Sequence, residues 1–230
     1  AQWWQEIREG IESADNFVLV MSPDSLSSPI CQLEIAHARQ CNKRIIPVIH
    51  IDSQIEVALG KIAAIQPDPV LRDMLAGRDL LMVARDNWGT LAHINWIFAV
   101  SDDVFEEAFN KLIESIETDL EHIKTHTRLY LRAIEWKNKN QRPSALLVGA
   151  EITEAVEWLQ HAATKEPQPT ALHNEFIRAS QRAEIRRKRI QRMTGITVVV
   201  GIVAMIATIL STLQLGNAQT QLAMVNAEAT

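Results

Sequence analysis

At 230 residues the chain is long enough to bury one or two cores, and its 47% hydrophobic content is ordinary for a folded protein. A formal charge of -5 removes nucleic acid from the expected partners. Two cysteines, Cys31 and Cys41, show neither zinc-type spacing nor a framework of pairs, so reduced thiols and no metal are expected.

The chain opens on "AQWWQEIREGIESA", where Trp3, Trp4, Ile7 and Ile11 recur at helical spacing and predict an amphipathic helix. "NFVLVM" reads as a buried strand. "SPICQLEIAHARQ" reads as a helix, with Ser28 as its N-cap and Pro29 as its first residue. "RIIPVIHI" is a second apolar strand, and Pro47 places it at an edge or a strand end. Residues 55–77 are irregular to helical, and "LAHINWIFAV" is a third strand. From Ser101 to about residue 140 the pattern predicts a long helix. Acids stand in its first turn, and Phe105, Phe109, Leu112, Ile113 and Ile116 line one face. A further helix, "AEITEAVEWLQHAAT", follows the break at "QRPSALLVG". Strands alternating with helices imply an α/β fold with a parallel sheet covered on both faces.

Residues 196–215, "ITVVVGIVAMIATILSTLQL", carry no charge and at about 1.5 Å per residue would span roughly the 30 Å of a bilayer core. The preceding "RAEIRRKRIQR" sets Arg182, Arg186, Arg187, Lys188, Arg189 and Arg192 against one acid, Glu184. The expectation is a single-pass membrane protein with its N-terminal region cytoplasmic and this basic flank on anionic lipid headgroups.

The stretch "WWQEIREGIESADNFVLVMSPDSLSSPICQLEIAHARQCNKRIIPVI" resembles the Toll/interleukin-1 receptor (TIR) domain. Ile7, Ile11, Ala14, Val18, Val20, Ser22, Ser28, Cys31, Glu34, Ile45, Ile46, Pro47 and Val48 fall in the family order and spacing. One departure is Ile30, where the family often has tryptophan. The remainder is similar to the linker of bacterial membrane-anchored TIR proteins. The resemblance implies a flavodoxin-like parallel sheet entered at its second helix. The chain is then N-terminally truncated, with only the three C-terminal strands of the family sheet. The implied organisation is a partial TIR domain over 1–119, a helical linker region over 120–169, a basic juxtamembrane helix over 170–195, a transmembrane helix over 196–215 and a short tail over 216–230.

The resemblance also implies signalling by homotypic association with other TIR domains. The alternative it implies is NAD hydrolysis at the nicotinamide–ribose bond. Glu34 is then the catalytic carboxylate that steadies an oxocarbenium-like ribose, with Cys31, Ser22 and Ser28 lining the pocket. NAD enters as substrate, and no cofactor is expected. A phosphate-binding flavodoxin-like protein is a third reading, but Gly10, Gly60, Gly77 and Gly89 stand isolated and form no phosphate loop. His122 and His126 are four residues apart without a third ligand nearby, which predicts a solvated helix face.

Overall fold

The computed structural model describes residues 2–51 and 54–228, with side chains of the last helix described to residue 193, over 200–212 and at 216. It divides into two units, Ala1–Ser180 and Gln181–Thr230.

The first unit opens with α1 (Gln2–Ser13), β1 (Asn16–Met21), α2 (Pro23–Ser27), α3 (Pro29–Gln40) and β2 (Arg44–Ile49). Next come α4 (Ile55–Ala63), α5 (Pro69–Leu75), α6 (Leu80–Leu91) and β3 (Ile97–Phe98). Three more helices follow: α7 (Asp102–Glu117), α8 (Leu120–Asn138) and α9 (Ala150–His161). The last helix, α10, runs Ala171–Glu228. Helix starts carry recognisable caps. The side chains of Ser28, Asp68 and Asp79 accept from backbone N–H groups at the starts of α3, α5 and α6, and Pro29 and Pro69 stand at first helical positions.

The strands are parallel, in the order β1-β2-β3. On one face Leu19, Met21, Ile45 and Ile49 meet Ile11 of α1, Ile35 and Ala38 of α3, and Leu91 of α6. On the other face Ile46 and Ile97 meet Ala108 of α7, with Leu112 and Ile116 alongside. That cover stops short of β1. Val18 and Val20 pair in register with Ile46 and Val48 and so share their face, yet both are exposed, Val20 at 55%.

Several expectations are overturned. The fold is mostly helical in place of the expected α/β fold, and the three parallel strands that were expected form only a small sheet within it. β3 has only two residues, because Leu91 still belongs to α6 and the Trp96 indole donates back to the Leu91 carbonyl at 2.8 Å. Second, among the described residues no helix is long and apolar enough to cross a membrane. The part of the expected span with described side chains, residues 200–212, rises about 20 Å against the roughly 30 Å required. Residues 196–199 and 213–215 lie outside the described side chains. The single-pass placement with a cytoplasmic N-terminal region rested on that span and falls with it. Third, the helix expected from Ser101 to residue 140 is two helices. Asp119 between them holds φ 54, in the left-handed region. Fourth, His122 and His126 do not face solvent: both are buried, with Trp158 stacked on His122.

Pro47 lies in the central strand, where a proline is rare. The register explains it. The Ile49 carbonyl accepts from Ala99 N on the β3 side, so Pro47, two residues earlier, points its missing N–H the same way. Pairing with β3 begins only at Val48, so no ladder bond is lost.

Three consecutive residues stitch the sheet to the helices beyond it. The Asn42 side chain donates to the Gln168 carbonyl at 3.1 Å. The Lys43 ammonium, in a buried residue, donates to the Glu12 carbonyl at 2.7 Å and to Thr127 Oγ1 at 3.3 Å. The Arg44 guanidinium donates to the carbonyls of Ser115, Thr118 and Glu166.

Candidate functional site

The residues expected at the site follow β1 and lie along α2 and α3. Ser22 caps α2 in a reciprocal box: its hydroxyl accepts from Ser25 N at 3.2 Å, and its own N–H donates to Ser25 Oγ at 2.9 Å. Ser28 caps α3, accepting from Cys31 N at 3.3 Å. Both hydroxyls thus have structural work in holding helix starts. Cys31 is a free thiol of intermediate burial.

Glu34 lies in the second turn of α3, between Leu33 and Ile35, which are both fully buried. It is itself half-buried, and burial raises its carboxyl above the usual carboxylate range. No hydrogen bond or ion pair to its carboxylate occurs among the described residues. A half-buried acid left without a counter-charge is the kind of group found at reactive sites.

Two clefts lie at the ends of β2. The one beyond the C-terminal ends of the strands measures about 390 Å³ and is lined by Ile49, His50, Ile51, Phe98 and Val100. This is where open parallel sheets hold ligands. Glu34, Cys31, Ser22 and Ser28 are not among its lining residues. The other cleft, about 840 Å³, opens around Arg39, Lys43 and Arg44. Its arginines are already engaged: Arg39 donates to Asn87 Oδ1 at 3.0 Å, and Arg44 to three carbonyls.

The basic residues expected to flank a membrane, Arg182, Arg186, Arg187, Lys188, Arg189 and Arg192, all lie on α10, where Lys188 pairs with Glu184 at 3.4 Å.

Two groupings escaped the sequence reading. Asn87 of α6 is buried and donates to the Gln32 carbonyl at 2.8 Å and to Gln32 Oε1 at 2.9 Å, while Gln32 donates to the Leu26 carbonyl at 2.8 Å. Glu12, His37 and Cys41 converge where α1 meets the end of α3. The only sequence signal for the second was the spacing of His37 and Cys41, one helical turn apart.

Comparison with known proteins finds one family: residues 1–81, of the chain's 230, match the TIR domain. No curated protein and no solved structure matches the chain. The matched segment runs from α1 to the start of α6 and contains the whole of β1, α3 and β2.

Proposed function

We propose, from a chain that carries a TIR-domain segment over residues 1–81, that the protein is a signalling protein that works by self-association. The observation that supports this reading is the match itself, which takes in β1, α3 and β2 of a domain that works by contact with other TIR domains. Among the described residues β1 pairs with β2 alone. Its sequence, "NFVLVM", has no lysine, no charge and no proline, the devices that usually protect an edge strand. Val18 and Val20 add an exposed apolar face to that edge.

Sedimentation velocity over a range of concentrations tests the reading. The protein is expected to associate as concentration rises, and Val20→Lys is expected to hold it monomeric with little loss of stability, since Val20 is exposed. A wild-type protein that stays monomeric throughout, or a Val20→Lys variant that associates equally well, would overturn it.

A second reading is favoured by one observation, the unpaired, half-buried carboxylate of Glu34. On that reading the protein cleaves NAD, and the carboxylate steadies the positive charge that develops on the ribose. Nicotinamide release from NAD, lost in Glu34→Gln, is its expected signature. Equal release by both proteins would remove Glu34 from the chemistry.

A further inference from the structure

The donors of Glu12, His37 and Cys41 come from two helices and the residue that ends one of them. His37 Nε2 lies 3.0 Å from Glu12 Oε1 and 3.7 Å from Cys41 Sγ. All three donor atoms lie within 4.8 Å of one another. Cys41 and His37 are buried, and the Glu12 side chain keeps 15% of its surface in solvent.

One ring nitrogen faces two groups here. A proton on Nε2 can go to Glu12 or Cys41, not both, and Cys41 Sγ also accepts from the Tyr130 hydroxyl. A cation placed between the three donors satisfies all of them at once. The two separations from His37 Nε2, 3.0 and 3.7 Å, are close to what that role needs. A tetrahedral ion bound at about 2.0 Å to oxygen and nitrogen and about 2.3 Å to sulfur sets its ligands roughly 3.3–3.6 Å apart. The chemistry suits it too. A carboxylate and a thiolate neutralise a divalent ion, and imidazole with thiolate favours a borderline-soft metal over magnesium or calcium. Burial pushes the Cys41 thiol up, and the Tyr130 hydroxyl, which donates to Cys41 Sγ at 3.3 Å, works against that rise. Two side-chain cations stand near. Arg8 approaches the same Glu12 oxygen at 3.9 Å, beyond hydrogen-bond reach, and the Lys43 ammonium is held by the Glu12 carbonyl and Thr127.

We propose that Glu12, His37 and Cys41 form a zinc site that clips α1 to the C-terminal end of α3, with one position left to water. The partly exposed Glu12 side chain is the route of entry.

Cobalt(II) substitution tests this on the full chain. One equivalent of Co²⁺ is expected to bind with a thiolate-to-cobalt charge-transfer band in the near ultraviolet and tetrahedral d–d absorption. Zn²⁺ is expected to displace it and to raise the melting temperature. Cys41→Ser is expected to abolish the sulfur band and weaken binding at least tenfold. Cys31→Ser, which removes the other free thiol, is expected to leave both unchanged. Wild-type protein that binds no cobalt, or binds it without a sulfur band, overturns the proposal whether or not the variants fold. So does a band that survives Cys41→Ser or disappears with Cys31→Ser.

Discussion

Asn87 shows how much one buried side chain can organise. Its amide gives two hydrogen bonds to Gln32 and takes one from Arg39, so α6 is fixed on α3, and through Gln32 on the end of α2. Asn87→Ala leaves the buried Gln32 amide oxygen and the Arg39 guanidinium without this partner and removes the second hydrogen bond to the Gln32 carbonyl. It is expected to cost about 2–4 kcal/mol, read from the shift in urea midpoint. Glu34 predicts the opposite sign. Burial raises its folded pKa above the unfolded value, so ionisation works against folding at neutral pH. Glu34→Gln is expected to melt slightly higher than wild type at pH 7, with the gain vanishing as pH falls into the carboxyl range. An unchanged or lower melting temperature across that range would mean that the carboxylate has a partner in solution. Residues of these two kinds differ in how visible they are in sequence. Ser28 was legible as a cap because its partner lies three residues away. The Asn87–Gln32 pair is separated by 55 residues, and nothing local marks either side chain as buried. His122 and His126 misled for the same reason: helical spacing says which residues share a face, not what covers it.

At the scale of elements, hydrophobic pattern located β1, α3, β2 and α9 well, since each carries its own apolar period or cap. It failed where tertiary contacts decide. Pro47 signalled an edge, yet β2 is central, because the missing N–H points where β3 has not yet begun. The apolar stripe of α7 was read as Phe105, Phe109, Leu112, Ile113 and Ile116; Leu112 and Ile116 do pack on the sheet, together with Ala108, while Phe105, Phe109 and Ile113 are exposed. Phe105 and Phe109 stack on each other at 6.1 Å in solvent. The orientation is testable by a pair of substitutions. Ala108→Leu pushes a larger side chain into the contact with Ile46 and Ile97 and is expected to cost about 1–3 kcal/mol. Phe109→Ser, on the exposed strip, is expected to stay within about 0.5 kcal/mol of wild type. The reverse order of effects would rotate the helix back to the pattern read from sequence.

Over the first unit as a whole, acidity is the condition that tests the packing. Burial, and for His126 the neighbouring His173 as well, push His126 down to about 3 and His173 down to about 4. Both rings are therefore neutral in the fold, and the unfolded chain takes up their protons first as pH falls below about 6.5. Stability from these two groups is complete above that pH and declines below it, by about 2 kcal/mol per histidine at pH 5. Urea unfolding at pH 7.5 and pH 5 measures the loss, and His126→Phe is expected to remove about half of this pair's share.

The run Asn42–Lys43–Arg44 carries a consequence for anyone who would treat residues 1–81 as a portable part. Every bond that these three side chains make to the helices beyond β3 ends on a residue outside that segment: Thr127, Ser115, Thr118, Glu166 and Gln168. Excised or grafted onto another protein, the segment would carry an ammonium left with the Glu12 carbonyl alone and a guanidinium that has lost its three carbonyl acceptors. The inheritable piece is thus larger than the recognisable one. A chimera that respects the first unit must take the chain through Ser180, and a library that shuffles at residue 81 is expected to yield insoluble product.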